Sequence, residues 1–329
     1  MRVMKHLLHF ICAFALFYGL WLPIRVYAQE DKTHILAILW RTDTRIEAAW
    51  RGAIQESGLS HKISTISADQ DRGRLINGFR AMYKNLFNGD VDLICCFGTT
   101  ACQVTKQVIM GRVPMLFIGV VDPIGAGLVS SLTLPGHKTS GVTLGVPIDQ
   151  QLSMLHQISP FRSLLFLFNS REAYSILIGH ELAMWTQEKG LQIEERRVVP
   201  DSVGLDEVLS GLFTGDFAAD ALYVADDSYV ASRAQEIAET VGTKTLLFAG
   251  SDEFIRAGWL AGWVPSSEKI GQAAAQMSLE VLRDGLDPGI ISVRIPQPSL
   301  LLNKETARSQ GINIPKTSSL SSHIKYITP

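Results

Sequence analysis

Residues able to do chemistry collect at six points, each just after an apolar run. They are Trp40-Arg41-Thr42, Gly98-Thr99-Thr100, Val121-Asp122-Pro123, Asn169-Ser170, Asp226-Asp227-Ser228 and Ser251-Asp252. Hydroxyls at a helix start, beside backbone N–H groups with no intrahelical partner, favour a bound anion such as a carboxylate. Acids on an opposing surface favour a cation such as an ammonium. A cleft with both features suits a zwitterion. Its candidate contacts are Trp40, Arg41, Thr99, Thr100, Asp122, Asn169, Tyr174, Asp226 and Asp252. Trp40, Tyr174, Tyr229 and Trp263 could add a stacking wall for an aromatic group, although aromatics near strand ends commonly serve packing. Ser, Thr, Asp and Asn are also the preferred helix caps, so each residue taken alone reads first as a cap. The facing set is what speaks for a ligand.

Enzyme readings find little support. No G-x-G-x-x-G follows the first apolar run, where Trp40-Arg41-Thr42-Asp43-Thr44 stands instead, and no P-loop occurs. Gly250-Ser251-Asp252 lacks the second glycine of a nucleophile elbow, so a secreted hydrolase is the weakest of the readings. There is no C-x-x-C, H-E-x-x-H or acidic calcium loop, and no metal or cofactor is expected.

The elements that must position these residues alternate. Short apolar runs at 35–40, 62–67, 91–97 and 114–120 are separated by helical stretches at 45–57, 71–88 and 98–110. The pattern restarts after 141–147, with a helix at 149–158, a run at 163–168 and a helix at 173–189 closed by Gly190. Further runs stand at 221–224 and 245–248. Continuous apolar runs indicate strands covered on both faces, hence parallel sheet. Strand–helix alternation then gives an α/β fold of two doubly wound parallel-sheet lobes. The expected division is 29–147 with part of 265–302 in one lobe, and 148–264 with part of 303–315 in the other. Residues 316–329 read as a polar tail.

The first 28 residues are a different material. They carry Arg2, Lys5 and Arg25, no acid, and an apolar run over 7–22. A basic start followed by an apolar stretch is the pattern of a secretory signal, with cleavage expected between Ala28 and Gln29. The competing reading is an uncleaved anchor, since the run approaches the ~18–20 residues needed to span a bilayer. Pro23 and Arg25 interrupt it, which favours cleavage. Without this segment the 30 basic groups fall to 27 against 32 acids, a net charge of −5. That balance argues against nucleic-acid binding, for which no basic excess exists. Cys95, Cys96 and Cys102 remain, an odd number for an oxidising compartment. Cys95 and Cys96 point to opposite faces of a strand, so one of them can bridge to Cys102, or all three can stay buried thiols.

The chain resembles the substrate-binding proteins of ABC transporters in the tryptophan/tyrosine-uptake-like family, from about 34 to 315. The most specific segment is Val121-Asp122-Pro123-Ile124-Gly125-Ala126-Gly127-Leu128-Val129, followed by Leu134-Pro135-Gly136 and Gly141-Val142-Thr143. Asn169-Ser170-Arg171-Glu172-Ala173, Ser251-Asp252-Glu253 and Ala257-Gly258-Trp259-Leu260-Ala261 match in order and spacing. The resemblance implies the type I periplasmic-binding-protein fold and a monomeric periplasmic receptor that closes around a small ligand and docks on a membrane permease. It places Thr99 and Thr100 at a ligand carboxylate, with Asp122, Asn169, Asp226 and Asp252 at the other cleft positions. A sensory module docking on a membrane signalling protein is the alternative. The chain departs from the family at Ser170, where proline is common, and at Val121, where threonine is usual.

Overall fold

Two sheets, each wrapped by helices on both faces, carry the chain's polar clusters on their carboxyl ends. The computed structural model describes residues 32–200, 203–216, 219–312 and 321–327; the expected signal segment at 1–28 lies outside them. The first lobe is built from β1 (Thr33–Leu39), α1 (Arg45–Glu56), β2 (His61–Ser67), α2 (Arg72–Phe87), β3 (Leu93–Phe97), α3 (Thr99–Ile109), β4 (Met115–Val120) and β5 (Thr139–Thr143). Its strands are all parallel, in the order β2-β1-β3-β4-β5. The second lobe runs through α4 (Ile148–Ile158), β6 (Ser163–Asn169), α5 (Ala173–Lys189), β7 (Gln192–Val198), α6 (Gly204–Thr214) and β8 (Ala221–Val224). It continues with α7 (Ser228–Ser232), α8 (Ala234–Val241), β9 (Leu246–Ala249), α9 (Asp252–Arg256) and β10 (Ala261–Val264). Then come α10 (Ser267–Asp284), β11 (Ser299–Asn303), α11 (Lys304–Ser309) and β12 (Ile324–Ile327). The second sheet has the order β12-β11-β10-β9-β8-β6-β7, with only the β10–β11 pair antiparallel.

The apolar runs are strands because both of their faces are buried. In β1, Leu36 and Ile38 pack with Leu75 and Phe79 of α2, while Ile35, Ala37 and Leu39 pack with Trp50 and Ile54 of α1. The second lobe repeats this: Leu165 and Leu167 face Val208 and Ile237, and Leu164 and Phe166 face Leu155 and Ile178. Each Leu, Ile, Val or Phe side chain among these contributes about 1.5–3 kcal/mol when taken from water.

The chain passes between the sheets at 143–148, 264–267 and 294–299, with Arg294 bridged to Val142 of β5 before β11 begins. Although α10 follows the second lobe's β10, it packs on α1 of the first. Trp50 Nε1 donates to Ser278 Oγ at 3.1 Å. The helices approach so closely at Gly271 that a Cβ there would lie 2.5 Å from the Ile46 carbonyl oxygen. Part of the segment read as a polar tail is a strand: β12 pairs in parallel with β11, and its Ile327 is buried while Lys325 and Tyr326 are exposed. Too few apolar residues stand there to signal a strand without the neighbour that covers them.

Cys96 and Cys102 form a disulfide, with Cα atoms 5.3 Å apart, which ties β3 to α3. Cys95 faces the other side of β3, is free, and lies 3.5 Å from Ser278 Oγ. Burial pushes its thiol up to about 12. A thiol held protonated and shielded does not react. Alkylation of the folded, non-reduced protein should therefore label none of these three cysteines, and denaturation without reductant should expose Cys95 alone, as read by peptide mass mapping.

Candidate functional site

In open parallel sheets the ligand crevice lies outside the carboxyl ends of the strands, where the strand order reverses. In the first lobe that point falls between β1 and β3, and in the second between β6 and β8. Trp40, Arg41, Gly98 and Thr99 follow the first pair of strands; Asp226 follows β8.

Two cavities open there. The smaller, of about 80 Å³, takes lining residues from both lobes: Trp40, Arg41, Phe97 and Gly98 from the first, and Asp226, Ser251, Asp252 and Glu253 from the second. The larger, of about 330 Å³, is lined by Thr99, Gln103, Asp122, Gly125 and Ala126 of the first lobe and by Tyr174 and Leu177 of α5. Of the sequence candidates, Trp40, Arg41, Asp226 and Asp252 thus share one cavity, and Thr99, Asp122 and Tyr174 the other. Thr100 and Asn169 line neither.

Local geometry explains these placements. The N-cap of α3 is Gly98, which has no side chain to satisfy the first-turn N–H groups, so the helix start presents them to the cleft. Gly98 also has φ +89° and would bring a Cβ to 3.1 Å from the Trp40 Cβ, so any other residue there would strain the turn and displace Trp40. Asp122 turns its own loop, accepting from Gly125 N–H at 2.8 Å. Asn169 Oδ1 accepts from Arg171 N–H at 3.0 Å, which fixes the turn after β6. Tyr229 and Trp263 line neither cavity; Tyr229 packs against the second lobe's core, and Trp263 meets His323 edge-on at 5.7 Å.

The two adjacent aspartates after β8 separate completely. Asp227 is fully buried and accepts four bonds, from Asn169 N–H (2.8 Å), Ser175 Oγ (3.0 Å), Tyr229 N–H (3.1 Å) and Val230 N–H (3.1 Å). It caps α7 and holds the β6 turn. Asp226 instead lines the cavity, and its carboxyl is pushed up to about 7 by burial and then by the charge of Glu253; Arg41 opposes the rise. Burial and then the charges of Asp227 and Asp226 hold the Glu172 carboxyl well above the usual carboxylate range, while Ser228 N–H donates to it at 3.1 Å. Ser251 Oγ is buried with no partner in hydrogen-bond geometry, though it lies close enough to Asp226 to favour the charged carboxylate.

Asp252, also a candidate, is engaged: it accepts from the Ser267 hydroxyl and from Ser267 N–H at 3.1 Å. Arg41 is paired with Glu253 of the other lobe. Glu253 and Ser251 line the cavity without having stood among the candidate contacts. Both lie beside Asp252, in a run where nothing in the sequence separates a cap from a lining residue.

Two parallel-sheet lobes around a cleft, with a charged pair and a carboxylate inside, make a fold of the type I periplasmic-binding-protein class. The chain belongs to the ABC transporter substrate binding protein family, whose model matches residues 46–323. It is similar to a tyrosine-binding protein of Clostridioides difficile (strain R20291), 26% identical over 239 residues; the match covers 72% of this chain and 66% of that relative's length. Among solved structures it is similar to an ABC domain from Streptococcus pneumonia in complex with L-Trp, with TM-score 0.76 and 23% identity over 91% of this chain and 100% of that one. A leucine binding protein from Thermotoga maritima shares the fold at TM-score 0.56 and 12% identity, over 77% of this chain and 83% of that one.

Proposed function

We propose that this chain is the periplasmic receptor of an ABC uptake transporter, binding one amino acid as a zwitterion between its lobes. The observation that carries the reading is the pairing of Asp226 on the second lobe with the uncapped start of α3 on the first. An ammonium at Asp226 and a carboxylate at Gly98-Thr99 satisfy both. Gly98 lines the smaller cavity and Thr99 the larger, so a ligand held there extends its side chain past Tyr174 and Leu177, where about 330 Å³ is open. That volume and its aromatic wall fit tyrosine or tryptophan. The relative named for tyrosine and the fold neighbour holding L-Trp support the same class.

The chain works by binding rather than catalysis. Ser251 has no histidine among the residues lining its cavity, so the cavity holds no serine–histidine pair. Receptor function follows from a two-state equilibrium: contacts from both lobes exist only when the lobes are together, so the ligand stabilises that form and a permease reads it. The expected signal segment and the Cys96–Cys102 bridge fit an oxidising compartment. No helix of the described residues is long and apolar enough to cross a membrane. Native mass spectrometry of protein purified from rich medium tests the reading: a bound mass equal to one amino acid is expected. Stripped protein that takes up none of the twenty amino acids would overturn it.

A further inference from the structure

Among the elements bordering the cleft, α9 has an unusual set of partners. It is five residues long and belongs to the second lobe, yet three of its side chains bond to α10, which packs on the first lobe, or to the first lobe itself. Asp252 holds Ser267 at the start of α10, the helix that packs on the first lobe. Arg256 Nη2 meets Glu268 Oε1 of the same helix at 2.9 Å, and Arg45 of α1 lies 3.7 Å from that oxygen. Glu253 reaches furthest, pairing with Arg41 at the end of β1, 212 residues earlier in the chain. The Arg41 and Glu253 side chains are 25% and 27% exposed, sheltered enough that salt screens the pair only in part.

Two of these links lie beside the crossings, where the lobes stay in contact through any hinge motion. Arg41–Glu253 lies within the cleft, lining the cavity beside Asp226. It can exist only while the lobes are together. We propose that Glu253 is a positioning residue that clasps Arg41 across the cleft, favouring the closed receptor and slowing ligand escape. The inference rests on the two-lobe receptor reading but not on which amino acid is bound. It also assigns Arg41 to the protein's own carboxylate rather than to the ligand's.

Charge-assisted pairs of this kind act mainly on dissociation. With L-tyrosine as probe, Glu253→Gln and Arg41→Met should each speed dissociation about tenfold and leave association within about twofold. The double variant should match either single one, because the interaction is shared. Small-angle scattering of the protein without ligand should show a larger radius of gyration in both single variants. The exchange Arg41→Glu with Glu253→Arg should restore compactness, which a folding defect would not. Identical scattering from wild type and both single variants would overturn the clasp, whether or not L-tyrosine binds. Failure of L-tyrosine and L-tryptophan to bind wild type, with the scattering shift present, would instead fault the ligand assignment alone. An Arg41→Met loss of affinity far exceeding that of Glu253→Gln would return Arg41 to the ligand.

Discussion

Replacing Asp226 by asparagine is expected to weaken binding of L-tyrosine or L-tryptophan about a hundredfold, measured by calorimetry at pH 8. The substitution keeps the shape of the cavity wall and removes only the charge that meets the ammonium. A hydrogen bond to a charged group is worth about 1.5–3 kcal/mol, and tenfold in affinity is about 1.4 kcal/mol. The pH dependence gives this prediction its signature. The Asp226 carboxyl sits at about 7, so below that pH it must release a proton before it can hold a cation. Wild-type affinity should fall about tenfold per pH unit below 7, and the asparagine variant should lose that slope.

Stability moves the other way. A carboxyl raised from 3.8 to about 7 contributes stability that is full below pH 3.8 and lost as pH rises through about 7. Asparagine carries no such charge. The variant should therefore melt above wild type at pH 8 and beside it near pH 4, each without ligand. A binding site that is costly to keep charged is a common trade of stability for function.

Trp50→Ala is expected to cost about 3–5 kcal/mol of folding stability, read as a lowered denaturant midpoint with little change in slope. Trp50 is fully buried on α1, meets Phe97 edge-on at 5.4 Å, and donates to Ser278 on α10. Truncation leaves a cavity and removes the indole donor from Ser278, whose hydroxyl keeps its bond to the Ala274 carbonyl at 2.8 Å, and it loosens the long helix α10 against α1. Trp50→Phe keeps most of the volume and should cost less than half as much. Equal losses for the two variants would mean that the hydrogen bond to Ser278 outweighs the packing.

The lobes were legible in the sequence because strands such as 35–39 are buried on both faces, which writes an unbroken apolar run. The start of α3 was legible too, because Gly98-Thr99-Thr100 follows such a run directly. The assignment of individual polar residues was not. Asp226 and Asp227 are adjacent acids after the same strand, and only the turn geometry shows that Asp227 is consumed by four donors while Asp226 lines the cavity. Asp252 and Arg41 find their partners at Ser267 and Glu253, and no local pattern encodes contacts across that much chain. The Cys96–Cys102 bridge was half legible: strand alternation separates Cys95 from Cys96, but choosing between them needs the position of α3. Short elements such as α9 and β12 hold too few residues to show a period.

In the proposed receptor a zwitterionic amino acid bridges Asp226 and the start of α3. Calorimetric titration of stripped protein with L-tyrosine and L-tryptophan, beside their N-acetyl derivatives, tests it most directly. One molecule of at least one free amino acid should bind per chain, and acetylation, which removes the ammonium, should abolish the heat. Equal binding of the free and acetylated forms, or no heat from either amino acid, would contradict it.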